Sequence, residues 1–194
     1  MPSSWEFVDS AVPRELRERV LAAALDEVTR WGVERFSVAA LASRHGLDEQ
    51  LIYQYWGSSQ RLLLDTMFFR ADDIIMAPNT GSLRGDLEAM ALAVARYLNT
   101  SDGRRLQRAM VMDEHAAHAD DTRAIFWRRR YETVRTILDH AAVRGELREG
   151  VNPLTGVQIL LAPINIRSLY TDEPIDDAYC LEVAELAWRA LIRR

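Results

Sequence analysis

The sequence predicts an all-α chain. Apolar residues recur at three- and four-residue spacing along most of its 194 residues, and no stretch holds the strict alternation of a half-buried strand. Pro, Gly, Asn, Asp and Ser fall between the periodic runs, where they start helices and stop them. About nine helices follow from that punctuation.

The first helix runs from about Pro13 to Arg30, with Leu16, Val20, Ala23 or Ala24, Val28 and Trp31 at helical spacing. Pro13 suits the first helical position and Gly32 the position just past the end. Ser37 is placed to cap a short second helix carrying Val38, Leu41 and Ala42, which His45-Gly46 ends. A third helix covers Asp48 to Tyr55, and the Asp48 carboxylate suits its positive end. Gly57-Ser58-Ser59 breaks the chain. A longer helix follows from about Ser59 to Ala77, with Leu62, Leu63, Met67, Ile74 and Ile75.

Pro78-Asn79-Thr80-Gly81 is a turn, and Leu83 to Leu98 is periodic. Thr100-Ser101-Asp102-Gly103 reads as a further turn ahead of a helix to about Glu114. Asp120-Asp121 caps a long helix through Ala142, whose stripe of Trp127, Tyr131, Val134, Leu138 and Ala141 is close to a heptad. Gly145 to Gly150 is a loop. Asn152-Pro153 starts a helix that Pro163 should kink, and the last helix spans Ile175 to about Ile192.

Composition excludes several functions. Apolar residues are 48% and charged residues 27%, which is ordinary for a chain that buries a core. One cysteine, Cys180, allows neither an internal disulfide nor a cysteine-based zinc site. The opening residues MPSSWEFVDS lack the pattern of a secretory leader. The longest strongly apolar stretch, Val157 to Ile164, is far short of the roughly 20 residues of a membrane helix. A cytoplasmic protein that makes no membrane contact is expected. The formal charge is -5, so general polyanion binding is not expected. All 24 basic residues are Arg, which reads as a GC-rich coding bias and says little about function. Contact with nucleic acid must come from a local arrangement.

Such an arrangement lies near the N-terminus. Two short helices joined by a turn containing Gly46 make a helix-turn-helix candidate, whose second helix would enter the major groove. The local order is specific: Arg19-Val20-Leu21-x-Ala23-Ala24, Trp31-Gly32-Val33, Ser37-Val38-x-x-Leu41-Ala42, Gly46-Leu47, Leu51-Ile52-Tyr53-x-Tyr55-Trp56, Ser58 and Leu62-Leu63. This run, about Arg14 to Asp65, resembles the TetR family of bacterial transcriptional regulators. Arg144-Gly145-Glu146-Leu147 and Val151-Asn152-Pro153 resemble that family's loop before its penultimate helix.

The resemblance implies an all-α homodimer. Residues 14–60 would form a three-helix DNA-binding domain, and residues 61–194 a helical domain that binds a ligand and dimerises. It also implies repression of a palindromic operator, released when a small molecule favours the wrong half-site spacing. Carried over by position, Ser37 caps its helix and touches phosphate, while Tyr53 and Tyr55 contact backbone or bases. Gln50 and Gln54 share a side, and glutamine pairs bidentately with adenine. Arg44 and His45 reach a phosphate near the turn, and Ser58 and Ser59 stand at the next helix start. Leu47, Ile52 and Trp56 match core positions. The alternative for Tyr53, Gln54 and Tyr55 is a solvated surface with aromatic edges packed on a neighbour.

The chain departs from the family at three points. Gln50 and Leu51 replace a small residue and a Thr, and Ser59 replaces a Lys that approaches phosphate. The reading helix holds Asp48 and Glu49 and no base. From Arg14 to Asp65 there are seven Arg and eight Asp or Glu, a net of -1. Two readings stay open. In one, a narrow operator is bound with help from Arg14, Arg17 and Arg44. In the other, a helical dimer of this type has lost strong DNA binding and serves a small molecule or a protein partner.

The last helix carries two apolar stripes, Tyr179, Val183, Leu186 and Ala190 beside Cys180, Ala184, Ala187 and Leu191. Burial on two sides follows, and Tyr179, Val183, Leu186, Ala187 and Ala190 are the expected dimer contact. A fully internal helix of a monomer is the alternative. Met67, Phe68, Met110, Met112, Phe126, Trp127, Leu160 and Ile164 are candidates to line a pocket for a hydrophobic or aromatic ligand, though each also suits plain core. Asp113-Glu114-His115-x-x-His118-x-Asp120-Asp121 gathers metal-ligand types without a supporting pattern, so no metal and no cofactor is expected. Arg128-Arg129-Arg130 and Arg104, Arg105 and Arg108 read as solvated faces, and Cys180 as a small core residue. There is no Gly-rich phosphate loop and no nucleophile elbow, so no enzyme is expected.

Overall fold

The computed structural model describes residues 12–33, 35–69, 77–111, 119–171 and 173–193. They hold nine helices: α1 (Arg14–Trp31), α2 (Val38–His45), α3 (Glu49–Trp56), α4 (Ser59–Phe68), α5 (Leu83–Leu98), α6 (Ser101–Val111), α7 (Ala119–Val143), α8 (Pro153–Tyr170) and α9 (Asp177–Leu191). The only pairing of strand type among the described residues is an isolated bridge between Leu147 and Ile192. No described helix is long and apolar enough to cross a membrane. The chain divides into two compact units after α4, with α6 from Arg108 onward and α7 up to Ala124 grouped with the first.

In the first unit the local signals act as read. Ser37 Oγ accepts the Ala40 N–H, and Asp48 accepts the Leu51 N–H at 3.0 Å. Between these caps Gly46 turns the chain at φ 62°, a left-handed conformation that glycine adopts without a Cβ clash. Its N–H and that of Leu47 both reach the Ala42 carbonyl, closing α2. Val20, Leu21 and Ala24 of α1, Val38 and Leu41 of α2, Ile52 and Trp56 of α3 and Leu62 of α4 then form one core. Thus α4, which the sequence reading assigns beyond residue 60, packs with α1 and α3.

Four boundaries differ from expectation. Pro13 sits just outside α1 at ψ 132°, at the cap position rather than inside the first turn. Helix α4 stops at Phe68 and Ala77 is not helical, while Ile74 and Ile75 lie outside the described residues. Residues 101–103 are the first turn of α6 and not a turn before it. Thr100 is the cap, its Oγ1 accepting the Gly103 N–H at 3.0 Å. Gly103 is required there, because a Cβ would lie 2.1 Å from the Tyr97 carbonyl oxygen. Helix α7 begins at Ala119, so Asp120 and Asp121 lie within its first turn.

The second unit packs α5 against α8 and α9, with α7 contributing Val134, Ile137, Leu138 and Ala141 to the same core. Asn152 caps α8 and Pro153 opens it, as expected. Cys180 is fully buried, and burial together with Asp177 and Asp176 pushes its thiol up, leaving an inert core residue.

A polar clasp holds the ends of this unit. The fully buried Asp86 accepts from the Thr80 N–H at 2.6 Å, the Thr80 hydroxyl at 2.8 Å and Arg144 Nη2 at 3.0 Å. Glu146 accepts from the Leu83 N–H and Arg144 Nε, and its own carbonyl accepts the Arg193 N–H. Burial pushes the Glu146 carboxyl up, but the Leu83 N–H and the Arg144 guanidinium outweigh it, so its pKa lies below the ordinary 4.5. A carboxyl with a depressed folded pKa adds stability above its unfolded value and loses it as pH falls through the folded one. Thermal melts are therefore expected to drop as pH falls below about 4.5. Glu146→Gln should cost about 1–3 kcal/mol at neutral pH and flatten that acid dependence. An unchanged pH profile in the variant would refute the clasp.

Candidate nucleic-acid interface

Helix α3 is anchored from below and open above. Ile52 and Trp56 are buried in the first core, while Gln50, Tyr53 and Gln54 are exposed. These three stand at i, i+3 and i+4, so they share one face. Tyr53 is 42% exposed, and Glu49 is exposed at the head of the same helix. Tyr55 is half-buried and meets the Trp56 ring edge-on, with centroids 6.4 Å apart.

One hydrogen bond ties α3 to α4, and a second ties the same carboxylate to α1. Trp56 Nε1 donates to Asp65 Oδ2 at 3.0 Å, and Arg17 Nη2 donates to Asp65 Oδ1 at 2.9 Å. Asp65 is buried on α4, so one carboxylate joins α1, α3 and α4. Sequence reading missed it, although the signal was a lone acid three residues beyond the apolar Leu62.

The residues around the turn are placed less freely than expected. Arg44 pairs with Glu27, and its guanidinium lies 5.3 Å from the Trp31 ring centroid. His45 Nε2 is 3.2 Å from Glu27 Oε1 and 3.9 Å from Asp26 Oδ2. Glu27 is only 3% exposed, so it needs these partners. Its place on the α1 stripe beside Ala23, Ala24 and Val28 was the unread signal. Arg44 and His45 thus tie α2 to α1 in the free protein. Ser37 is exposed, while Ser58 caps α4 by accepting the Arg61 N–H at 3.2 Å. Ser59, first in α4, is half-buried. Exposed arginines of this unit include Arg19, Arg35 and Arg61.

The other site residues fall as follows. Met67 and Phe68 are buried in α4, and Leu160 and Ile164 are fully buried in the second core. The side chains of Met110, Phe126 and Trp127 lie outside the description, as do Met112 and the whole segment 113–118 of the acidic His-containing run. On α9, Ala187 is fully buried and Val183 is 7% exposed, both inside the chain's own core because α9 turns that side to α5 and α8. Tyr179 and Ala190 are half-buried, and the Tyr179 hydroxyl donates to the Pro163 carbonyl at 3.1 Å. Leu186 is 59% exposed. Further exposed apolar side chains are Leu154, Ile159, Ile166 and Tyr170 of α8 and Leu181 of α9.

A capped two-helix unit with an open second helix, in an all-helical chain, defines a helix-turn-helix protein. Residues 77–187 match the family model described as the tetracyclin repressor-like C-terminal domain. The HTH-type transcriptional regulator AqdR of Rhodococcus erythropolis is 31% identical over 160 residues, covering 81% of this chain and 77% of AqdR. The uncharacterized HTH-type regulator YdeS of Bacillus subtilis is 27% identical over 175 residues, 89% of this chain and 87% of YdeS. The crystal structure of the TetR family regulator SCO0332 superposes with a TM-score of 0.69 at 26% identity, over 90% of this chain and 97% of that one. This chain belongs to the TetR family of transcriptional regulators.

Proposed function

We propose that the chain is a ligand-responsive repressor acting in the cytoplasm as a homodimer, a binding protein and not an enzyme. Each protomer lays α3 in the major groove of one half-site of a palindromic operator. The observation that carries this reading is the exposed face of Gln50, Tyr53 and Gln54 on a helix whose opposite face is core. Gln50 and Gln54 read base edges, and Tyr53, Ser37 and Ser58 contact the phosphate backbone. Residues 14–60 with α4 bind DNA, and the remainder dimerises and takes a hydrophobic or aromatic molecule. A ligand that favours the wrong separation of the reading helices, about 34–36 Å for adjacent turns, lowers operator affinity by its differential binding.

One observation favours a second reading. The pairing of Arg44 and His45 with Glu27 leaves an already acidic unit with fewer bases to neutralise phosphate. On that reading DNA binding has weakened and the dimer serves a partner. Fluorescence anisotropy against duplex from the chain's own upstream region separates the two. Binding that weakens steeply with salt, and loses about 1–3 kcal/mol of sequence discrimination in Gln54→Ala, supports repression. A folded dimer with no salt-sensitive binding at low ionic strength favours the second.

A further inference from the structure

Helix α1 gives one side to the core of the first unit and keeps another in solvent. Val20, Leu21, Ala24 and Val28 are buried. Glu15, Arg19, Ala22 and Arg30 are exposed, and Asp26 is half-buried. These five follow one another at steps of three or four residues, so they line one side of the helix. An open groove of about 380 Å³ lies at the centre of that side, lined by Arg19, Ala22, Ala23 and Asp26 together with His45 and Leu47.

The charges along this side complement their own reverse. From Glu15 to Arg30 they read acid, base, alanine, acid, base. A two-fold axis passing between Ala22 and Ala23 sets Arg19 opposite Asp26 of a second, antiparallel α1, Glu15 opposite its Arg30, and Ala22 opposite its Ala23. Each facing charged pair is opposite in sign and occurs twice, as in any isologous contact. A parallel pairing in register would set Glu15 on Glu15 and Arg19 on Arg19, so the pattern selects the antiparallel one. The groups this needs are available. Glu15 and Arg19 make no hydrogen bond or ion pair among the described residues. Arg30 gives only its Nε to Asp26 Oδ1, at 2.8 Å, and its side chain is 66% exposed. Asp26 Oδ2 lies 3.9 Å from His45 Nε2, outside hydrogen-bond reach, and keeps room for a guanidinium. The central alanines let two helix axes approach to about 8 Å, close enough for the flanking charges to meet.

We propose that this side of α1 docks, antiparallel, onto the same side of a second copy of the chain. The contact joins the first unit of one molecule to the first unit of another, and it is separate from any contact through α8 and α9. One helix face is a smaller contact than the about 1,200 Å² at which stable interfaces begin, so the pairing is transient in dilute solution. Its ion pairs are exposed, so salt weakens it.

Sedimentation equilibrium of the full chain tests it. At about 50 mM salt the weight-average mass should rise about 1.5-fold or more between about 10 µM and about 1 mM protein, and about 0.5 M salt should remove the rise. A mass that stays constant over that range overturns the proposal. Arg19→Glu sets acid against Asp26 of the copy, and Asp26→Arg sets base against its Arg19. Each variant alone should lose the rise, while an equimolar mixture restores opposite charges and should recover it. Circular dichroism confirms that each variant is folded. A single variant that associates like the parent, or a mixture of folded variants that stays apart, overturns the antiparallel pairing. Ala22→Glu keeps the test decisive should Asp26→Arg not fold, because Ala22 is exposed and supports no core. It should lose the rise with its helical content unchanged, and association like the parent's overturns the contact.

Discussion

Asp65→Ala is expected to lose operator binding by more than about tenfold and to weaken the first unit by about 3–5 kcal/mol. The carboxylate is 7% exposed and serves two donors from two other helices, so its removal strands the indole N–H of Trp56 and the guanidinium of Arg17 together. Breaking one partner of a buried ion pair costs more than the pair contributes, because the remaining charge stays desolvated. Typical domains hold about 5–15 kcal/mol in total, so this loss is a large share. The effect should be graded. Asp65→Asn keeps one acceptor and should cost less. Trp56→Phe removes the N–H together with part of a fully buried ring, leaves the Arg17 pair in place and should cost about 2–4 kcal/mol. Urea melts followed by circular dichroism give the stabilities, and anisotropy on the operator gives the affinities. If Asp65→Ala melts and binds like the parent, the carboxylate does not position the reading helix.

The contrast between what was legible and what was not follows from sequence distance. Caps are local. Ser37, Asp48 and Asn152 each meet a backbone N–H two or three residues on, so residue type and position suffice to place them. Gly46 is legible for the same reason. Buried carboxylates are not local. Glu27 finds Arg44 17 residues away, Asp65 finds Arg17 48 residues away, and Asp86 finds Arg144 58 residues away. Periodicity marks these acids as misfits on apolar stripes but cannot name their partners. The same gap explains Arg44 and His45. Their type suits a phosphate, and only the fold reveals a carboxylate under them. Gly103 misled for a different reason. A glycine beside Thr100, Ser101 and Asp102 reads as a turn, whereas it opens a helix that passes too close to Tyr97 for any side chain.

The proposed dimer face supplies the second large effect, and its test separates two stripes that sequence alone could not. Ile166→Glu/Leu186→Glu should convert the dimer to monomer, with the protomer's helical content unchanged and operator affinity reduced by about a hundredfold or more. Ile166 is 56% and Leu186 59% exposed, so neither supports the protomer's own core. Covering such a side chain contributes about 1.5–3 kcal/mol, and a two-fold axis counts each residue twice. Placing four carboxylates across that axis removes the gain and adds repulsion. Ala187→Glu is the informative control. Ala187 belongs to the same expected interface but is fully buried against the chain's own helices. A carboxylate there has no partner, so this variant should lose helical structure and not merely its mate. Sedimentation velocity with circular dichroism distinguishes the outcomes. If Ile166→Glu/Leu186→Glu stays dimeric while Ala187→Glu becomes a folded monomer, the contact runs along the 183–187 stripe and the exposed face of α8 serves something else.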